Sequence, residues 1–202
     1  MMKPRFICGI DEAGRGPLAG PVCAASVILP PEFPLACLDD SKKLKAPARE
    51  KARIIIMGEA LAWGIGWASA AEIDRINILR ASLLAMERSF EAMVFALGKA
   101  GGTLPEGIGA VADGLYVPRI SIPCTPMVRA DAQVPAVMAA SILAKTARDR
   151  MMIRYDWLYP RYGYEKHKGY PTAAHRAAIA AYGPSPIQRM SFRVSQSGGG
   201  GV

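Results

Sequence analysis

Three short apolar runs in this chain lead into carboxylates, and long stretches of helical periodicity separate them. Phe6 to Ile10 runs into Asp11-Glu12, Ala110 to Ala112 runs into Asp113, and the run from Ile120 to Val128 is followed by Asp131. Pro21 to Leu29 and Ala62 to Ala68 are two further strand candidates, the second carrying Gly64 and Gly66. Between the first two strands lies Asp11-Glu12-Ala13-Gly14-Arg15-Gly16-Pro17, a glycine- and proline-rich turn. Strands alternating with long helices predict an α/β domain.

The helical stretches are Pro47 to Leu61, Ala71 to Lys99 and Pro135 to about Asp156. In the second, Ile73, Ile76, Leu83, Phe90, Val94 and Leu97 make an apolar stripe that reads as core. In the third, Ser141, Lys145 and Arg148-Asp149 fall at i, i+4, i+7 and i+8 and share one face. Val137, Ala140, Ala144, Ala147 and Met151 form the opposite, apolar side. From about residue 157 the chain is basic and broken by glycine and proline, with one helix predicted near Thr172 to Ala181 and Thr172 as its N-cap. We read 1–194 as one domain that includes this basic helical segment, and 195–202, with its four consecutive glycines, as a flexible tail.

The 202 residues are 51% apolar and 21% charged, a composition that excludes a disordered chain. Lys and Arg number 25 against 17 acids, a net charge of +8, which favours a polyanionic partner without singling out nucleic acid. Cys8, Cys23, Cys37 and Cys124 show no metal-ligand spacing, and Cys8 and Cys23 sit among apolar neighbours as small buried hydrophobes do. No apolar run approaches the roughly 20 residues of a membrane span, and Met1 to Phe6 passes straight into a strand without a signal peptide. The expected location is the cytoplasm.

Acids at separate strand ends fit phosphodiester hydrolysis assisted by two divalent ions, because several carboxylates must converge where oxygen-seeking Mg²⁺ or Mn²⁺ can bind. Asp11 and Glu12 are adjacent, so their side chains diverge in an extended segment, and Asp11 is the better bridging candidate. The alternative is a set of helix caps and surface ion pairs.

Gly9-Ile10-Asp11-Glu12-Ala13-Gly14-Arg15-Gly16-Pro17-Leu18-Ala19-Gly20-Pro21-Val22 resembles the opening signature of ribonuclease HII, the type 2 ribonuclease H family. Asp40-Ser41-Lys42-Lys43-Leu44 is similar to the family's D-S-K-K-L segment. Ala139-Ala140-Ser141-Ile142-Leu143-Ala144-Lys145 with Arg148-Asp149 resembles its A-A-S-I-L-A-K-x-x-R-D helix. Lys166-His167-Lys168-Gly169-Tyr170-Pro171-Thr172 with His175, then Gly183-Pro184-Ser185, Arg189 and Ser191-Phe192, resembles its C-terminal series. These pieces follow the family's order from Gly9 to about Val194.

The resemblance implies an RNase H-like α/β fold: a mixed five-stranded sheet flanked by helices, with a C-terminal helical extension. It implies four catalytic, metal-binding carboxylates, Asp11, Glu12, Asp113 and Asp131, working with two Mg²⁺ or Mn²⁺ ions. The implied activity is endonucleolytic hydrolysis of the RNA strand of RNA–DNA hybrids. It includes incision 5′ of single ribonucleotides in duplex DNA, with 3′-hydroxyl and 5′-phosphate ends, by a monomer.

Gly14, Arg15 and Gly16 are implied to read the 2′-hydroxyl and Tyr170 to pack on the junction sugar. Lys42, Lys43, Ser141, Lys145, Lys168 and Arg189 are implied to face substrate, and Lys166 is a further phosphate candidate. His167 and His175 read as structural. The chain departs from the family pattern at Leu115, Ala130 and Met190, beside the sites but on none of the carboxylates. Two other readings compete: a catalytically silent hybrid-binding module, and a DNA resolvase or integrase of the same fold. Four intact acids speak against the first, and the Gly-Arg-Gly and Lys-Gly-Tyr pieces against the second.

Overall fold

The computed structural model describes residues 6–38 and 45–193. Lys42 and Lys43, with the rest of their D-S-K-K-L segment, and the glycine-rich 195–202 stretch lie outside the described residues. Among the described residues five strands form one mixed sheet: β1 (Ile7–Ala13), β2 (Val22–Ile28), β3 (Ala62–Ala68), β4 (Gly109–Asp113) and β5 (Cys124–Met127), in the order β3-β2-β1-β4-β5. β1 pairs antiparallel with β2 and parallel with β4. β2–β3 is antiparallel and β4–β5 parallel. The helices are α1 (Ala46–Glu59), α2 (Ala70–Lys99), α3 (Pro135–Leu158), α4 (Tyr164–His167) and α5 (Ala173–Tyr182).

α2 covers one face of the sheet, and α1 with α3 covers the other, so the core is divided into two layers. β2 runs between two strands and under helices on both sides, which is why all seven residues of Val-Cys-Ala-Ala-Ser-Val-Ile are buried. β3 alternates instead. Ala62, Gly64, Gly66 and Ala68 turn inward, and α2 comes so close that a Cβ on Gly64 or Gly66 would lie 2.2–2.3 Å from its backbone. On the other face, a Cβ on Gly9 would lie 2.1 Å from the Ala136 carbonyl carbon, so the start of α3 rests directly on β1. That contact sets where α3 carries its side chains past the end of β1.

Four sequence expectations change. The helix predicted as Ala71 to Lys99 is broken at Asn77, which has φ 66° and ψ 165°; its Oδ1 accepts from the Arg80 N–H, the local pattern of a second N-cap. The strand predicted over Ile120 to Val128 shrinks to Cys124–Met127. As an edge strand it tolerates Pro126, which has no N–H to give a further neighbour. α3 does not have one polar and one apolar side, because it is buried nearly all round from Ala136 to Arg148, Ser141 included. A short helical turn, α4, precedes the predicted C-terminal helix, whose N-cap is Thr172, with Oγ1 accepting from the His175 N–H. Among the described residues no helix is long and apolar enough to cross a membrane.

Candidate active site

Ile10 pairs with Ala112 in the parallel β1–β4 ladder, so Asp11 and Asp113 follow one step beyond, at the carboxyl ends of adjacent strands. That edge of an α/β sheet is where ligands gather, since the strands fix the side chains while the loops stay open. Asp131 arrives from a 3₁₀ turn at Ala130–Ala132, introduced by Arg129 in the left-handed conformation (φ 59°). The Ala130 N–H donates to Asp113 Oδ1 at 2.7 Å, tying the turn to the strand. One carboxylate oxygen from each of Asp11, Asp113 and Asp131 lies within 4.8 Å of the others. Helix caps and surface ion pairs would not converge in this way.

Asp11 is 5% exposed. Burial, then the charges of Glu12 and Asp113, hold its carboxyl well above the usual carboxylate range; a hydrogen bond with the Ser141 hydroxyl opposes the shift. Ser141, expected to face substrate, is thus buried and turned toward Asp11. Glu12 stands apart from the trio. One of its oxygens is paired with Arg15 at 3.3 Å, and Oε2 is buried without a hydrogen-bond partner. Burial raises its pKa too, against the pull of Arg15. Hard oxygen donors at this spacing, a fourth acid beside them with an orphaned oxygen, and like charges held together fit a divalent cation of the Mg²⁺ or Mn²⁺ class.

Arg15 and Gly16 are exposed next to this pole, and a Cβ on Gly16 would lie 3.7 Å from the Tyr170 ring. Tyr170 is 42% exposed, with Lys145 Nζ 6.0 Å from its ring centre. Lys145 also pairs with Asp149 at 2.7 Å. Lys168 is left-handed (φ 52°), and its ammonium donates to the Glu165 carbonyl. Loop, tyrosine and Lys145 thus form one surface beside the acids.

Arg189 is a correction. Expected to meet phosphate, it is 0% exposed, and its guanidinium donates to the carbonyls of Gly14 (2.6 Å), Arg15 (2.9 Å), Pro17 (2.8 Å) and Gly20 (2.8 Å). Burial, then the charge of Arg148, brings its pKa down to about 9, so it remains charged at neutral pH. Arg148, assigned to a polar helix face by its spacing, is 1% exposed and donates to Pro21, Ala19 and Lys168 carbonyls at 3.0, 3.2 and 3.0 Å. No periodicity signals either role, since the carbonyls they meet carry no side-chain identity.

His167 and His175 stack with ring centres 4.5 Å apart. His167 Nδ1 accepts from the Gly169 N–H and its Nε2 lies 2.8 Å from the Tyr162 carbonyl; His175 Nδ1 lies 3.0 Å from the Tyr170 carbonyl. Both rings support the backbone beneath Tyr170. Sequence reading also missed Asp74, whose carboxylate accepts from the Met190 and Ser191 N–H groups and the Ser191 hydroxyl.

The family model described as Ribonuclease HII matches residues 8–195. Ribonuclease HII of Treponema denticola is 55% identical over 196 residues, covering 94% of this chain and 98% of that protein. The Dechloromonas aromatica protein of the same name is 49% identical, covering 93% and 90%. Among solved structures, the PCNA:RNase HII complex from Archaeoglobus fulgidus aligns with a TM-score of 0.72 at 24% identity, covering 96% of this chain and 98% of that one. Bst-RNase HIII in complex with Mn²⁺ aligns with a TM-score of 0.65 at 19% identity, covering 88% and 63%. At these identities the structural likeness speaks for the fold.

Proposed function

The chain belongs to the ribonuclease HII family of metal-dependent endoribonucleases, and on that premise we propose that it hydrolyses the RNA strand of RNA–DNA hybrids and incises 5′ of single ribonucleotides in duplex DNA. The observation that carries this reading is the juxtaposition of the Asp11, Asp113 and Asp131 carboxylates with the exposed Arg15-Gly16 backbone and the Tyr170 ring. An acidic pole alone would serve any phosphodiester. A small-residue backbone facing an aromatic ring suits a sugar edge, where the 2′-hydroxyl separates RNA from DNA.

Asp11, Asp113 and Asp131, with Glu12 as a fourth acid, are the residues that would hold two Mg²⁺ or Mn²⁺ ions. When bound, such ions supply a nucleophilic water and counter-charge for the leaving oxygen. The chain's own residues prepare that place. Ser141 orients Asp11, the Ala130 N–H orients Asp113, and Arg15 draws one Glu12 oxygen aside. The Arg15 and Gly16 N–H groups meet the 2′-hydroxyl, and Tyr170 carries the sugar of the next nucleotide. Lys145 and Lys168 approach phosphates, and the same role is assigned to Lys42 and Lys43, which lie outside the described residues; such contacts position a duplex without reading its sequence. The products are a 3′-hydroxyl and a 5′-phosphate. We assign the enzyme to ribonucleotide excision repair as a cytoplasmic monomer, in keeping with four free cysteines.

A labelled DNA duplex with one embedded ribonucleotide, incubated with the protein and Mg²⁺ and then with EDTA, tests this reading. Metal-dependent incision on the 5′ side of the ribonucleotide is expected. Cutting confined to long hybrids would remove the single-ribonucleotide role, and equal cutting of plain DNA would remove the ribonuclease reading.

A further inference from the structure

Two buried arginines hold most of the carbonyls of the loop from Gly14 to Pro21. Those of Gly14, Arg15, Pro17 and Gly20 accept from the Arg189 guanidinium, and those of Ala19 and Pro21 from Arg148. The Leu18 carbonyl accepts from the Arg189 backbone N–H. A guanidinium is a rigid planar fork with five donors, so it fixes the directions as well as the positions of its acceptors. In a trans peptide the N–H of the next residue points opposite to the carbonyl, and none of these peptides is cis. With the Gly14 and Arg15 carbonyls turned in, the N–H groups of Arg15 and Gly16 are therefore turned out, side by side, toward the surface where Tyr170 stands. Successive N–H groups presented in this way make a concavity for an electron-rich oxygen.

Arg148 and the loop's own backbone also join the loop to the tyrosine segment. Arg148 also holds the Lys168 carbonyl, and the Leu18 N–H donates to the Gly169 carbonyl at 2.8 Å. Gly169 is left-handed (φ 83°), and a Cβ there would lie 2.5 Å from the Ala19 carbonyl oxygen. Gly14 is likewise left-handed (φ 100°), and a Cβ there would meet Arg148 Nε at 2.0 Å. Loop and tyrosine segment are thus locked to one scaffold from within.

We propose that Arg189 and Arg148 are positioning residues for ribonucleotide recognition: they hold the loop's carbonyls inward so that the Arg15 and Gly16 N–H groups face the sugar carried on Tyr170. The inference rests on the assignment of that loop and tyrosine to the ribonucleotide. Neither arginine touches substrate. A merely structural arginine would lower activity on every substrate in proportion to the folded fraction, whereas a positioning one changes the ratio between substrates.

The test uses the full chain, as wild type and as Arg189→Lys, whose single ammonium cannot reach carbonyls on both sides of a fork. Incision at a single embedded ribonucleotide should fall about a hundredfold, and cleavage of an all-RNA strand about tenfold less than that, as expected for a misplacement of about 1 Å. Equal losses on both substrates, or no loss on either, overturn the proposal.

Residue-resolved amide exchange of the metal-free wild type keeps the proposal testable should that variant not fold. Leu18 and Gly20 should be protected like the sheet, while Arg15 and Gly16 exchange at least about tenfold faster and slow down on binding a ribonucleotide-containing duplex but not plain DNA. Arg15 and Gly16 protected in the free protein, or indifferent to the ribonucleotide, overturn the positioning. A wild type that gains this protection yet leaves a single ribonucleotide uncut with Mg²⁺ discards that incision alone and keeps the positioning.

Discussion

The molecule buries charge in two neighbouring places and treats it in opposite ways. At the strand ends, Asp11, Asp113 and Asp131 bring like charges within 4.8 Å, and the neighbouring Glu12 leaves one oxygen buried without a partner. Beneath the Gly14–Pro21 loop, two guanidiniums are more deeply buried, yet backbone carbonyls surround them. Transferring a charge out of water is costly unless its hydrogen-bonding capacity is met. Where the backbone meets it, the charge is part of the scaffold. Where like charges crowd together instead, the fold has left room for a cation.

That contrast breaks most sharply at Asp11. Asp11→Asn should lower cleavage by on the order of a thousandfold, the upper scale for losing one group that meets charge as it develops. The same change should raise the metal-free Tm by about 2–4 °C, equivalent to about 1 kcal/mol, because it relieves repulsion within the acidic pole. Initial rates with Mg²⁺ and melting in EDTA read the two effects. A fall in metal-free Tm would mean that Asp11 is scaffold after all, and unchanged cleavage would remove it from the site.

The arginine side should respond with the opposite sign in stability. Arg148→Met fills similar volume but leaves the Ala19, Pro21 and Lys168 carbonyls without donors, which should cost about 3–5 kcal/mol. Urea unfolding measures it. A loss under about 1 kcal/mol would mean that water replaces the guanidinium and that the loop is held elsewhere.

A smaller effect sharpens the comparison through pH. Burial lowers the pKa of both His167 and His175 below the ordinary 6.5, and His175 Nε2 is buried with no acceptor for a second proton. The unfolded chain therefore takes up more protons than the folded one once the pH drops below about 6.5. The histidines' stabilisation is fully present above that pH and drains away as the pH falls through the lowered values. The metal-free Tm should decline between about pH 7 and 5, and His175→Phe should flatten part of the decline. An unchanged slope in that variant would assign the decline to other groups.

These outcomes bear on how far the chain could be read without coordinates. The carboxylates were legible because each follows an apolar run, and a sheet edge converts that pattern into convergence. The C-terminal helix was legible for a local reason: Thr172 caps it three residues before His175. Arg148 was misread because i, i+4 spacing describes one helix and says nothing of what packs around it; α3 lies under the sheet, the loop and the C-terminal segment together. Ser141 fell to the same cause. Arg189 meets its carbonyls across as many as 175 positions, and Asp74 meets Ser191 across 117. Tertiary hydrogen bonds to backbone leave no mark in composition or spacing. The break at Asn77 was hidden because flanking apolar residues carry the helical stripe straight through it.

The distance along the chain between Arg189 and the loop it holds also bears on how the enzyme comes into being. Gly14 leaves the ribosome 175 positions ahead of Arg189, and synthesis exposes the N-terminal part first. Sheet and acidic pole can assemble from residues up to Asp131 and the start of α3 while the Gly14–Pro21 loop still lacks its guanidinium. A nascent chain thus passes through an interval in which the acids are in place and the loop beside them is not yet fixed. Closure of the loop waits on Arg189, and premature termination ahead of it would leave a protein with its acids in place and without the clamp on the loop that we propose for telling RNA from DNA.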